Sequence, residues 1–161
     1  EYYPDGRLKS KSYHYNNGGE VSDDAWVMLF EYDDNGNLIH ADEDTTGSTQ
    51  TSFYNEKNQL IRHDYYPGYA YSEYEYDSTG NCSRQIDYTM GKKGWETQVY
   101  EFKYDASGRI THSYSSGKKG RMYLDQEWMY YKDGRLKAEY FYVKNKRKWV
   151  NRYYYEYYPF K

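Results

Sequence analysis

The chain has 161 residues, of which 26 are tyrosine, and a net charge of −3, so its length fits a single domain. Leu, Ile, Val and Phe together number only 20, so aromatic side chains, which bury about 150–250 Å² each, must build most of the core. No run of 18 apolar residues and no signal-peptide pattern occurs, which excludes a transmembrane helix and leads us to expect that any leader is absent from this chain.

Charge differs between the two halves of the chain. Residues 1–80 hold 5 Lys/Arg and 16 Asp/Glu, and residues 81–161 hold 17 and 9. The halves therefore carry −11 and +8, a polarity that disfavours a nucleic-acid binder and favours weak head-to-tail self-association at low salt.

One pattern recurs along the whole chain: an aromatic residue, three polar positions, a Gly, one further residue and an aliphatic residue. In chain order the copies read YYPDGRL, YDDNGNL, YNEKNQL, YDSTGNC, YDASGRI and YYKDGRL. We interpret residues 1–161 as one repeat domain. The repeat anchors are Tyr2, Tyr32, Tyr54, Tyr76, Tyr104 and Tyr130, with Tyr157 of the closing EYYPFK as a seventh.

Each copy has the residues of a β-hairpin turn. A polar run that ends in Gly is typical of a type I turn closed by a residue with positive φ. In the third copy this position holds Asn58, the non-glycine residue that best tolerates the left-handed region. We therefore predict one tight turn per copy.

The segments beside the turns alternate with period two, as half-buried antiparallel strands do. Before the turns, aromatic residues occupy one face and mostly acidic residues the other; after each turn an aliphatic residue or Cys82 follows the Gly by two positions. The predicted fold is all-β: tandem antiparallel β-hairpins that form an extended, twisted or curled sheet, an open solenoid-like array.

The segments YEYDSTGN, KYDASGRI and YYKDGRL resemble the YD repeat of bacterial RHS and teneurin-type proteins. The resemblance implies a secreted, periplasmic or cell-surface protein of the bacterial envelope. Long arrays in that family coil into a shell, for which six or seven copies look too few. The chain also lacks the self-cleaving segment of the family and is more similar to small secreted YD-like proteins.

Candidate catalytic groups are few. His40 and His112 occupy the same repeat position and could form a weak metal ladder, but three repeats separate them, so structural roles are favoured. Cys82 fits a small buried hydrophobe better than a nucleophile. No phosphate-binding loop, zinc-protease or serine-elbow motif occurs. We therefore predict no enzyme activity, cofactor or metal.

The loops at the other ends of the hairpins carry the candidate binding site. GKKGW at 91–95, GKKGR at 117–121 and KNKRKW at 144–149 recur at one predicted rim of the sheet, where cations beside aromatic rings could hold an anionic ligand. The alternative is that the lysines keep the rim soluble. The candidate ligand-binding residues are Trp95, Trp149, Lys92, Lys93, Lys118, Lys119, Arg121 and Lys148.

The sequence favours a non-enzymatic structural or protein-interaction scaffold, because repeats occupy the whole chain. The alternative is a carbohydrate-binding module that uses the aromatic and basic loop residues. The expected partner is accordingly a cell-surface protein or a glycan.

Overall fold

The computed structural model describes residues 1–17, 20–43, 48–117 and 120–155, with all of their side chains except those of residues 15–26 and 48. Within these ranges twelve strands follow one another in hydrogen-bonding order in one open antiparallel sheet. The all-β hairpin-repeat fold is thereby confirmed. The strands are β1 Ser10–Asn17, β2 Glu20–Tyr32, β3 Leu38–Glu43, β4 Ser48–Tyr54, β5 Leu60–Tyr66, β6 Ala70–Tyr76, β7 Cys82–Gly91, β8 Gly94–Tyr104, β9 Ile110–Ser116, β10 Met122–Tyr130, β11 Leu136–Val143 and β12 Lys146–Arg152.

The chain forms two compact units. The first comprises Glu1–Glu73 with Asp87–Thr97, and the second comprises Tyr74–Ile86 with Gln98–Lys161. We refer to them as unit 1 and unit 2 and describe the contacts of each by itself. The single domain over 1–161 stays a prediction.

In five copies of the motif, an aromatic residue lies opposite an aliphatic one at the entrance to the turn. Cross-strand partners of this kind approach each other closely and share a face of the sheet. This pairing explains why the spacing between the two residues is constant while the loops elsewhere vary. The pairs are Tyr2–Leu8, Tyr32–Leu38, Tyr54–Leu60, Tyr104–Ile110 and Tyr130–Leu136.

A β-bulge follows the aliphatic residue in four of these hairpins. In the β2–β3 pair, Tyr32 lies opposite Leu38 and Glu31 lies opposite His40, so Ile39 has no partner across the strand. Because one residue is inserted, the faces reverse after the bulge. The inserted residues are Ile39, Ile61, Thr111 and Lys137.

The buried interior consists of small side chains. The prediction from composition of a tyrosine-built core is wrong for the fully buried positions, which hold no tyrosine among the described residues. A single sheet leaves an edge of each large ring exposed and covers only its small neighbours. Most described anchor tyrosines are half-buried accordingly. Among the residues whose side chains the structure describes, the buried ones are Ala41, Ser52, Ser72, Ser113 and Ala138.

Among the described residues, no helix has the length and apolar character needed to cross a membrane.

Candidate functional site

The polar residues of the motif hold the turn itself. In the fifth copy, Asp105 Oδ1 accepts the backbone N–H groups of Ser107 at 2.8 Å and Arg109 at 3.1 Å, while Oδ2 accepts Arg109 Nε at 2.8 Å. These bonds, led by that from the Arg109 side chain, hold the pKa of Asp105 below its ordinary value. Gly108 has φ of +75° and Asn58 takes the same position with φ of +59°, so the predicted turn stereochemistry is confirmed.

The first and sixth copies also pair a carboxylate with the residue after Gly, but the carboxylate occupies a different position in the motif. Tyr131 stands where the other copies have Asp or Asn, and Asp133 lies two positions later. Its carboxylate accepts the backbone N–H of Arg135 at 3.1 Å and Arg135 Nε at 2.9 Å. The carboxylate therefore pairs with the residue after Gly in both arrangements.

Four anchor tyrosines each join their repeat to the preceding one. In four copies the hydroxyl group donates to the backbone carbonyl of the aliphatic-slot residue in the copy before it, so one residue fastens two repeats. This contact explains why the motif needs tyrosine and not phenylalanine at the anchor. The bonds are Tyr32 to Leu8 (3.1 Å), Tyr54 to Leu38 (3.1 Å), Tyr104 to Cys82 (2.7 Å) and Tyr130 to Ile110 (2.8 Å).

The arginine after Gly covers the next anchor ring. The Arg7 guanidinium lies 5.0 Å from the ring centroid of Tyr32, and Arg109 lies 4.8 Å from that of Tyr130, which is within cation–π range. Arg135 lies 4.7 Å from Tyr155 in the same way. Tyr155 thus makes the contact of an anchor, whereas Tyr157, the predicted seventh anchor, lies outside the described residues.

In unit 1, the predicted rim residues lie around the β7–β8 turn. Lys92 and Lys93 are exposed there. Trp95 is 45% exposed, and its ring meets Tyr71 edge-on with centroids 5.3 Å apart. The tryptophan is therefore fixed on one side and open on the other.

In unit 2, the described residues of the predicted set lie just before β10 and in the middle of β12. Trp149 is 55% exposed and stacks on Phe141 with centroids 5.2 Å apart, and the neighbouring Lys148 is exposed. The Arg121 guanidinium lies 5.6 Å from the Tyr123 ring centroid. Lys118 and Lys119 lie outside the described residues. The ligand-binding role of all these residues stays a prediction.

An aromatic row on one face of unit 1 escaped the sequence analysis. Arg62 is held by Asp64, with Nε 2.6 Å from Oδ1, and its guanidinium lies 4.1 Å from the Tyr71 ring centroid. Tyr71 in turn stacks on Tyr88 at 4.4 Å. We call Phe53, Arg62, Tyr71, Tyr88 and Trp95 the aromatic row.

The row lies on the face that the alternation assigned to solvated acidic residues. Phe53 pairs with Arg62, and Asp64 pairs with Tyr71, so these side chains share one face. Phe53 is 45% exposed, as is Trp95 at the other end of the row. No local sequence signal marks the row, because only the register of β4, β5 and β6 brings Arg62 beside Phe53 and Tyr71.

His63 and Cys82 are partly buried and have hydrogen-bond partners within the sheet. Ser52 Oγ lies 2.9 Å from His63 Nδ1, and burial lowers the pKa of His63. Burial raises the pKa of the Cys82 thiol, whose Sγ lies 3.4 Å from the carbonyl oxygen of Arg84, and a raised pKa disfavours the reactive thiolate. Within the part of the chain that the structure describes, no group of three or more His, Cys, Asp or Glu residues is placed to hold a metal ion.

No protein-family model matches the sequence, and no curated protein sequence matches it. Among solved structures, the chain is similar to the crystal structure of TcdB2-TccC3-Cdc42, with a TM-score of 0.58 and 14% identity. The likeness is one of fold. The resemblance of the motif to the YD repeat stays a prediction. The match covers 87% of this chain but only 7% of the chain it matches.

Proposed function

We propose that the chain is a non-enzymatic repeat scaffold of the bacterial envelope, secreted, periplasmic or at the cell surface, which presents a surface to a protein partner. The observation that carries the proposal is that the recurring side chains of the motif bind other parts of the fold. Its tyrosine hydroxyl, its carboxylate and, where present, its arginine all bind within or between repeats. The residues that recur therefore serve the fold.

The surfaces that remain available for a partner lie away from the motif turns. The aromatic row and Trp149 expose large rings, and β12 exposes all seven of its residues. Exposed aromatic and arginine side chains are enriched where proteins bind one another. The fold shared with the structure of TcdB2-TccC3-Cdc42 is compatible with a protein-binding role.

The test is capture of partners from a bacterial envelope extract, followed by titration of the purified partner. The intact chain is compared with Trp95→Ala/Trp149→Ala and with Tyr66→Ala, since Tyr66 is 60% exposed and lies outside the aromatic row. The proposal expects saturable binding that the double variant weakens at least tenfold and Tyr66→Ala preserves. Turnover of a substrate by the chain, or partner binding equal in all three proteins, would contradict it.

The aromatic row favours a second candidate, a carbohydrate-binding module. Tyr71 and Trp95 offer ring surface on the open face of a sheet, and sugar C–H groups pack on such rings. A glycan array distinguishes the candidates. Binding that Trp95→Ala abolishes supports the module, and no sugar response at millimolar concentrations removes it.

A further inference from the structure

A pocket of about 460 Å³ lies in unit 2 at the rim opposite the motif turns. It is formed where the end of β9, the start of β10 and the end of β11 meet. Its volume is within the range of small-molecule sites, about 300–1,000 Å³. Neither Trp95 nor Trp149 lines it. The lining residues used below are Ser115, Tyr123, Leu124, Asp125, Tyr142 and Lys144.

Asp125 lies at a β-bulge beside the pocket. In the β9–β10 pair Leu124 lies opposite Tyr114 and Gln126 lies opposite Ser113, so Asp125 is the inserted residue of a bulge. A bulge re-aims its side chain relative to the regular strand. The bulge is braced by the Leu124 N–H, which donates to Asn145 Oδ1 at 2.6 Å.

The walls of the pocket are fixed as well. A Cβ atom at Gly117 would overlap the ring of Tyr123, so the glycine admits that ring. Tyr142 donates its hydroxyl to Glu127 Oε2 at 2.7 Å, which holds its ring in place. Leu124 adds apolar surface beside the two rings.

Two polar side chains of the pocket are unused by the fold. Within the described ranges, neither the carboxylate of Asp125 nor the hydroxyl of Ser115 has a side-chain hydrogen bond or ion pair. Lys144 lines the pocket from a turn in which it has φ of +51°. The guanidinium of Arg121 is close to the same wall, over the Tyr123 ring.

Together these groups suit a ligand that has hydroxyl groups, a C–H face and a negative charge. Asp125 accepts hydrogen bonds from hydroxyl groups, the Tyr142 ring packs against a C–H face, and the cations of Lys144 and Arg121 attract a negative charge. A saccharide that carries a carboxylate has all three. A plain polyanion has no hydroxyl donors, and the charge of Asp125 repels it.

We propose that this pocket binds an acidic saccharide, with Asp125 binding its hydroxyl groups and Lys144 and Arg121 its carboxylate. The site goes beyond the scaffold role and does not rest on it. It also differs from the aromatic row in its residues, so failure of either site leaves the other standing.

The experiment is NMR titration of the isotopically labelled chain, which reports both affinity and place. The probes are D-glucuronate, D-galacturonate and N-acetylneuraminate, with glucose and galactose as neutral counterparts and polyglutamate as a control for charge alone. We expect at least one acidic sugar to shift the amide signals of 115–117, 123–125 and 142–144, and its neutral counterpart to bind more weakly.

Variants identify the groups. Asp125→Asn removes a charge-assisted acceptor and should weaken binding about tenfold. Lys144→Asn suits the positive φ and removes the cation, so it should weaken the acidic sugar several-fold and leave the neutral sugar unchanged. The matched control is Lys132→Asn, in the exposed motif turn at the opposite rim, which should change neither. If Asp125→Asn does not fold, Ser115→Ala replaces it, because the Ser115 hydroxyl lines the same pocket and its loss should also weaken binding of the acidic sugar.

Several results would overturn the proposal. They are no shift at the pocket with any acidic sugar, equal binding of polyglutamate, or a folded Asp125→Asn variant that binds as tightly as the wild type.

Discussion

The hydroxyl group of an anchor tyrosine offers a test of how the repeats are coupled. In Tyr130→Phe the ring stays and only the bond to the Ile110 carbonyl, 2.8 Å long, is lost. A net hydrogen bond contributes about 0.5–1.5 kcal/mol, and leaving a buried carbonyl unpaired costs about 1–3 kcal/mol. Because Ile110 is only half-buried, water can replace part of the bond, and we expect a loss of about 1–2 kcal/mol.

Urea unfolding followed by circular dichroism measures this loss. With an m-value of about 2 kcal/mol/M, the middle of the usual range, the midpoint should fall by about 0.5–1 M. The matched control is Tyr154→Phe, because Tyr154 is 79% exposed and its hydroxyl has no partner among the described residues. The control should leave the midpoint unchanged.

One result would refute the reasoning. If Tyr130→Phe stays within about 0.5 kcal/mol of the wild type, the range of ordinary surface substitutions, the anchor hydroxyl does not couple the repeats. A loss seen equally in Tyr154→Phe would have the same meaning, since it would reflect the ring chemistry and not the bond.

Three further outcomes are expected. Gly108→Ala should cost about 1–2 kcal/mol in urea unfolding because φ is +75°, and Gly108→Asn less, since Asn58 already occupies this position; equal costs would contradict the turn assignment. The pKa of Asp105 is lowered in the fold, so the contribution of this carboxylate to stability is present above about pH 4 and is lost as pH falls through the folded pKa. Asp105→Asn should therefore flatten the dependence of the urea midpoint on pH, while the turn still forms, since Asn55 accepts the equivalent backbone bonds in the third copy. An unchanged slope in the variant would contradict this. Light scattering should show the mass rising at low ionic strength through the opposite charges of the two halves, whereas a monomer at every salt concentration removes head-to-tail association.

The turns and strand pairs could be predicted because their determinants are local. The position with positive φ in the motif turn favours Gly or Asn, and the aromatic and aliphatic residues flank it at fixed distances, so seven consecutive letters specify the hairpin. The pairing of Tyr54 with Leu60 follows from the sequence even though the third copy has Asn58 in place of Gly.

The faces of the outgoing strands could not be predicted in the same way. Alternation from Leu38 would place His40 on the tyrosine face, but the bulge at Ile39 puts His40 opposite Glu31 and Ala41 opposite Phe30. The inserted residues are Ile, Thr or Lys, none of which marks a bulge, so the inserted residue leaves no compositional signal. The bulge at Asp125, on which the proposed saccharide pocket depends, was missed for the same reason.

The motif turns lie at one rim of the hairpins and the connecting loops at the other, and the side chains of the two rims differ in whether the fold uses them. This difference decides where function should be sought. At the motif rim, the carboxylate of Asp105 and the guanidinium of Arg109 bind each other and the next repeat, so a ligand would have to compete with the fold. At the loop rim, Asp125 and Lys144 line a pocket without such obligations, and loops held by a rigid sheet commonly carry binding sites. A substitution that affects binding but not stability is therefore expected at the loop rim, and one that affects stability first is expected at the motif rim.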